Sequence, residues 1–209
     1  RIAGYALRLK TRQEKTQALQ RNLDGVSVQL RTLEAKANML REMERDFEGF
    51  SKAVRLVMQE AARGALSGVH GPVSKLIRVE DRYTTAIETA LGAAMQNIIV
   101  DDEASGKAAI QLLKRRDAGR ATLLPLSTVT GRRLSEPSLA NMPGYVGVAS
   151  ELAQTDGRYQ GILENLLGRT VIAETLDNAI AMARKTGNRV RIVTLDGQVM
   201  NPGGSMTGG

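Results

Sequence analysis

GVHGPVSKLIRVEDRYTTAIETALG, residues 68–92, aligns without a gap to GYVGVASELAQTDGRYQGILENLLG, residues 144–168. Nine of the 25 positions are identical: Gly68, Gly71, Ser74, Leu76, Arg82, Tyr83, Glu88, Leu91 and Gly92 each recur 76 residues later. Unrelated stretches would share about one or two at ordinary residue frequencies, so the chain contains an internal repeat. The residues downstream of each copy are also alike. Apolar runs that read as buried strands, Ile98–Val100 and Ala121–Leu124 after the first copy, are matched by Val171–Ala173 and Arg191–Val193 after the second. Between them lie helical patterns, Ala104–Arg116 and Leu176–Lys185, each closed by a downstream glycine, Gly119 and Gly187.

The expected fold is therefore α+β, with two small pseudo-repeated subdomains. Residues 125–143 hold three of the five prolines, Pro125, Pro137 and Pro143, with Ser, Thr and Arg132-Arg133, and read as a linker. The expected organisation is an arm at 1–48, subdomain I at 49–124, the linker, and subdomain II at 144–209. Neither half offers enough strands for a complete Rossmann or barrel unit. In a twofold dimer the first half of one chain can meet the second half of the other, which gives two equivalent contacts and a pseudo-fourfold ring.

Upstream of the repeat the texture is different. Apolar residues fall at Leu19, Leu23, Val26, Leu30, Leu33, Ala37 and Leu40, spaced alternately by four and three, with continuation to Phe47 if Glu44 is skipped. This is a heptad seam on a helix over residues 1 to about 46, too narrow for ordinary core packing and in need of a partner helix. The pattern is already under way at the first residue, as in an excised arm. After Gly49 a second helix, Ser51 to about Ala62, would turn Val54, Leu56, Val57 and Ala61 inward.

Composition narrows the chemistry. Cysteine is absent, which removes disulfides and thiolate catalysis, and His70 is the only histidine. No apolar run is long enough to span a bilayer, so a membrane partner is not expected and a cytoplasmic setting is. The net charge of +7 is uneven: residues 1–46 carry 10 Lys+Arg against 6 Asp+Glu, leaving the rest at +3. With two Phe, four Tyr and no Trp there is little for base stacking, and nucleic-acid contact would be with the backbone.

Each candidate motif has a plainer reading. Gly106-Lys107 is not a phosphate-binding loop, because Asp101 stands where a glycine is needed and Ala108 where Ser or Thr is needed. Asp101, Asp102 and Glu103 begin a helix and suit capping better than metal binding. His70, beside Gly71-Pro72, has no carboxylate or nucleophile near it in sequence and reads as a core or turn residue. Glu88 and Glu164 recur at equivalent positions, which points to packing rather than an acid–base pair. No catalytic, cofactor or metal site is expected. Asp196-Gly197, between two apolar runs, signals a two-residue hairpin turn. The final glycines Gly203, Gly204, Gly208 and Gly209 fit a flexible tail, a close approach of two backbones, or, least well, a phosphate loop. Cations that could meet DNA phosphates are Lys52, Arg55 and Arg63 near the arm, Lys114, Arg115 and Arg116 at a helix end, and Arg132-Arg133.

These residues together resemble the hinge of structural maintenance of chromosomes (SMC) proteins of the bacterial condensin type. The likeness spans roughly residues 50–209. It is carried by Gly71-Pro72 with Leu76-Ile77, by Tyr83, Ala86-Ile87-Glu88 and Leu91-Gly92, by Ile99-Val100-Asp101, by Gly119-Arg120-Ala121-Thr122 with Leu124-Pro125-Leu126, and by the closing NPGGSMTGG. The resemblance implies a homodimerising, non-catalytic hinge of a nucleoid-associated ATPase whose ATP-binding heads lie elsewhere. It implies chromosome condensation and segregation, sequence-independent DNA binding, and an interface at or near Gly203, Gly204, Gly208 and Gly209. It also implies a returning coiled-coil helix, not present in this chain, to cover the arm's seam. The other reading of the residues is a ligand-sensing domain on a coiled-coil signalling helix.

Overall fold

The computed structural model describes residues 2–45 and 47–209. The chain forms two compact units, residues 1–49 and 50–209. The first is one helix, α1 (Ile2–Arg45), of 44 residues, about 66 Å long at the usual rise of an α-helix. Its seam residues Leu23, Val26, Leu30, Leu33 and Leu40 are all more than half exposed. The seam does not run on to Phe47, because the helix has closed: Glu48 N–H donates to Met43 O and Phe47 N–H to Glu44 O, with Phe47 at φ +52°. This is the bonding of a Schellman cap, with a phenylalanine where glycine is usual.

In the second unit Ser51 caps α2 (Lys52–Ala62) by accepting from Val54 N–H. Ala53, Val54 and Val57 are buried, while Leu56 and Ala61 are only partly so. The repeat then runs in order. The first half has β1 (Val69–Pro72), α3 (Val73–Leu76), β2 (Ile77–Val79), α4 (Thr84–Leu91), β3 (Ile98–Val100), α5 (Glu103–Arg115) and β4 (Leu123–Pro125). The second has α6 (Pro137–Ala140), β5 (Tyr145–Val148), β6 (Ala153–Thr155), α7 (Gln160–Leu167), β7 (Thr170–Ala173), α8 (Leu176–Lys185), β8 (Arg191–Thr194), β9 (Val199–Met200) and β10 (Met206–Thr207). The last strand of the first half is Leu123–Pro125, beginning two residues later than the apolar run Ala121–Leu124 suggests.

The strands form a sheet β1-β3-β4, a sheet β10-β9-β8-β7-β5 and the pair β2-β6. In both large sheets the strand after the repeated helix pairs antiparallel with the first strand and parallel with the strand beyond the crossover helix. Even the irregularity recurs: the register slips between Val69 and Gly71 and again between Tyr145 and Gly147, a bulge at His70 and at its mate Val146. In the β2-β6 pair Arg78 lies opposite Gln154, its own repeat mate. That register is what a pseudo-twofold axis through the pair requires, so the two halves already meet once within a single chain.

Alternation along the strands sorts the core. Ile98 and Val100 face α2 and α5, and Val171, Ala173 and Ile192 face α6 and α8. Ile99, Leu124, Ile172 and Val193 face the other way, into one cluster with Ile87 and Leu91 of α4 and Ile162 and Leu167 of α7. Each sheet is thus covered on both faces, and α4 and α7 form the layer the halves share.

The segment 125–143 is held along α7. Asn165 Nδ2 donates to Thr130 O at 2.9 Å, Leu134 N–H donates to Gly168 O at 2.7 Å, and Arg133 reaches Glu151 at 3.0 Å. Gly168 has no room for a Cβ because the Arg132 carbonyl lies against it. Further on, Pro137 opens α6, whose Leu139 is fully buried. α6 is the shortened counterpart of α2. The β8–β9 hairpin has a three-residue loop rather than the two-residue turn that Asp196-Gly197 suggests. Thr194 N–H donates to Gln198 O, Gly197 N–H donates to Thr194 O, and only Gly197 has positive φ, +89°.

Candidate self-association edges and basic face

The two halves differ most at their outer strands. Beyond β8 the second sheet continues through β9 to β10, whereas the first sheet stops at β4. On β4, Thr122 O accepts from Ile98 N–H and Leu126 N–H donates to Val100 O. By alternation the backbone groups of Leu123 and Pro125 face outward, and Pro125 has no N–H to offer. On β10 the Asn201 N–H···Ser205 O bond sets the phase. Met206, 54% exposed, and Gly208 therefore turn their backbone groups away from β9.

Gly203 and Gly204 lie in the turn between β9 and β10, and Gly208 and Gly209 follow directly on β10. Gly204 N–H closes a turn on Asn201 O at 3.0 Å with Pro202 and Gly203 at its centre, and Gly203 N–H donates to Asn188 O at 2.8 Å. Pro followed by a residue at φ +87° is the signature of a type II turn. Gly203 is thus required by the turn itself. Gly208 lies on the open edge without positive φ, and a Cβ there would meet only the end of the Gln198 side chain. Gly209 N–H donates to that side chain at 3.2 Å.

The sequence-predicted cations separate into groups. α2 packs on α5, and Lys52 Nζ donates to Asp117 O at 3.3 Å just beyond the end of α5. Lys52, with Arg55 a turn further on, is thereby brought beside the exposed Lys114, Arg115 and Arg116. Arg63 stands at the opposite end of α2, roughly 16 Å away along the helix, and pairs with Glu60 at 3.2 Å. Arg133 is committed to Glu151, with Glu164 at 3.9 Å.

The acidic cluster is absorbed locally. Asp102 caps α5: the Ser105 backbone N–H, then the Ser105 side chain, hold its carboxyl below the ordinary range. Glu103 accepts from Ser127 Oγ at 2.9 Å. Asp101 Oδ1 is 2.6 Å from His70 Nε2, and His70 Nδ1 is 2.8 Å from the hydroxyl of the buried Tyr159. No local sequence pattern announces this three-residue relay, because its other members lie 31 and 89 residues from His70. The repeat carries the only clue, since Tyr159 is the mate of Tyr83.

Comparison with known proteins agrees with this architecture. The family described as SMC proteins Flexible Hinge Domain matches residues 66–183. Chromosome partition protein Smc of Bacillus subtilis is 47% identical over 178 residues, which is 84% of this chain and 15% of that protein. The protein of the same name from Lactiplantibacillus plantarum is 39% identical over 212 residues, 100% of this chain and 18% of that one. The chain thus spans about a sixth of the length of these curated relatives. The asymmetric dimer of the Geobacillus stearothermophilus SMC hinge domain superposes with a TM-score of 0.79 at 46% identity, covering 84% of this chain and 72% of that one. For the Pyrococcus furiosus Smc hinge domain with an extended coiled coil the TM-score is 0.64 at 29% identity, covering 94% and 68%.

Proposed function

The chain belongs to the SMC hinge family, and from that premise we propose that it is a homodimerisation hinge of a chromosome-partitioning assembly. One observation carries the reading: a pseudo-symmetric molecule ends its two sheets in unlike open edges, β4 and β10. A second copy related by a twofold axis can bring β10 of each chain to β4 of the other, which joins the sheets twice and closes a ring. Gly208, on that edge, lets the backbones approach, while Gly203 and Gly204 shape the hairpin that presents it. The solved Geobacillus stearothermophilus relative is a dimer, which supports the reading.

The exposed seam of α1 supports a coiled-coil arm whose cover is a returning helix of the longer protein. Lys52, Arg55, Lys114, Arg115 and Arg116, with Arg63 as an outlying member, give a face for DNA phosphates regardless of sequence. In the intact protein this module would join two subunits of an ATPase that organises and segregates chromosomes.

Sedimentation of the chain over a dilution series tests the dimer. A twofold increase in mass at micromolar concentration is expected, and it should persist in a Leu30→Glu, Leu33→Glu variant that disables the seam. A monomer at every concentration, or a dimer lost with the seam, would overturn the proposal.

A further inference from the structure

α5 and α8 hold the same place in the two repeats, each crossing between parallel strands. Each ends in consecutive exposed cations: Lys114 and Arg115, followed by Arg116, in the first half, and Arg184 and Lys185 in the second. Each helix then closes on a residue at left-handed φ, Asp117 at +45° after α5 and Gly187 at +62° after α8, the latter followed by Asn188 at +56°. The likeness extends to the capping. Lys52 Nζ donates to Asp117 O at 3.3 Å, and Arg189 Nε donates to Thr186 O at 2.8 Å.

Cations at a helix C-terminus ordinarily complement its dipole. Here Lys52 and Arg189 already supply a donor to the carbonyls at those two ends. Arg184 and Lys185 make no ion pair among the described residues, and neither do Lys114, Arg115 and Arg116. Nor is a basic end general in this chain, for α4 and α7, the other repeated pair, have none in their last turn. With those donors in place, uncharged side chains at the two ends would still leave each helix terminus with a partner. The repeat keeps cations at both, in solvent and without ion-pair partners.

We propose that Arg184 and Lys185 form a second phosphate-contacting site for DNA on subdomain II, the counterpart of the one ending in Lys114–Arg116. This rests on the DNA-binding reading under Proposed function. One chain then offers two phosphate sites related by the internal pseudo-twofold, and a dimer offers four.

The test is duplex DNA binding by the full chain across a salt series. Arg184→Gln with Lys185→Gln should weaken binding several-fold at low salt and reduce the log–log salt slope by about two units. The charge-keeping exchange Arg184→Lys with Lys185→Arg should retain both. A parallel variant, Lys114→Gln with Arg115→Gln and Arg116→Gln, separates the two claims. If it loses affinity while the Arg184, Lys185 variant keeps native affinity and slope, the second site is wrong and the DNA-binding reading stands. If neither loses affinity, both fall. A measurement on the unsubstituted chain guards against misfolding: bound DNA should protect Lys185 as well as Lys114 from amine acetylation, and an unprotected Lys185 would overturn the proposal.

Discussion

His70 is where the repeat breaks its own symmetry. Its mate is Val146, yet both sit on the same bulge, so the backbone does not need a histidine there. What the imidazole adds is a partner for the hydroxyl of Tyr159, a residue only 6% exposed, and a link to Asp101. His70→Val should therefore cost about 1–3 kcal/mol, mainly by leaving that hydroxyl without a partner. Tyr159→Phe added to it should recover most of the loss, since both polar groups are then gone. Denaturant unfolding of the two single variants and the double reads this coupling, and strictly additive losses would contradict it.

Among the elements, the terminal glycines separate into two kinds with different expected effects. Gly203 sits at φ +87° in the middle of a turn, so Gly203→Ala should lower stability by about 1 kcal/mol or more through backbone strain. Gly208 has no such φ and lies on the outer edge of β10, so Gly208→Val should leave the melting temperature nearly unchanged while weakening self-association. Thermal melts set beside sedimentation distinguish the two, and a Gly208 variant that melts early with native association would reverse the assignment. The elements legible in sequence are those with a strong period. Ile98–Val100 and Leu176–Lys185 emerge with the ends their patterns suggest, because a short apolar run and an amphipathic stretch with a glycine stop leave little choice. α6 is hidden: four residues beginning with Pro137 are too few for a helical period, and only the burial of Leu139 reveals it as the counterpart of α2. The hairpin loop is one residue longer than its sequence suggests, because Asp196-Gly197 fits the tip of both a two-residue and a three-residue loop.

For the whole molecule, the repeat indicates two related halves but not how they touch. Their junction depends on strands only three residues long, β2 and β6, and on which faces of α4 and α7 are shared. Neither is a local property of the sequence. The same holds for the basic face, where Lys52 meets the end of α5 only because two helices pack together across a separation of 65 residues. Closure of the ring requires β10 of one chain to lie beside β4 of another, and a chain without cysteine allows this to be measured site by site. Leu123→Cys chains and Met206→Cys chains are purified separately, mixed, and treated with a short bifunctional thiol reagent, since neighbouring strands of one sheet lie about 4.7–4.9 Å apart. A covalent heterodimer is expected in the mixture and none from either variant alone. A mixture that remains dimeric in sedimentation but yields no crosslink, or Met206→Cys chains that crosslink to one another as readily as to their partners, would rule out this pairing of edges.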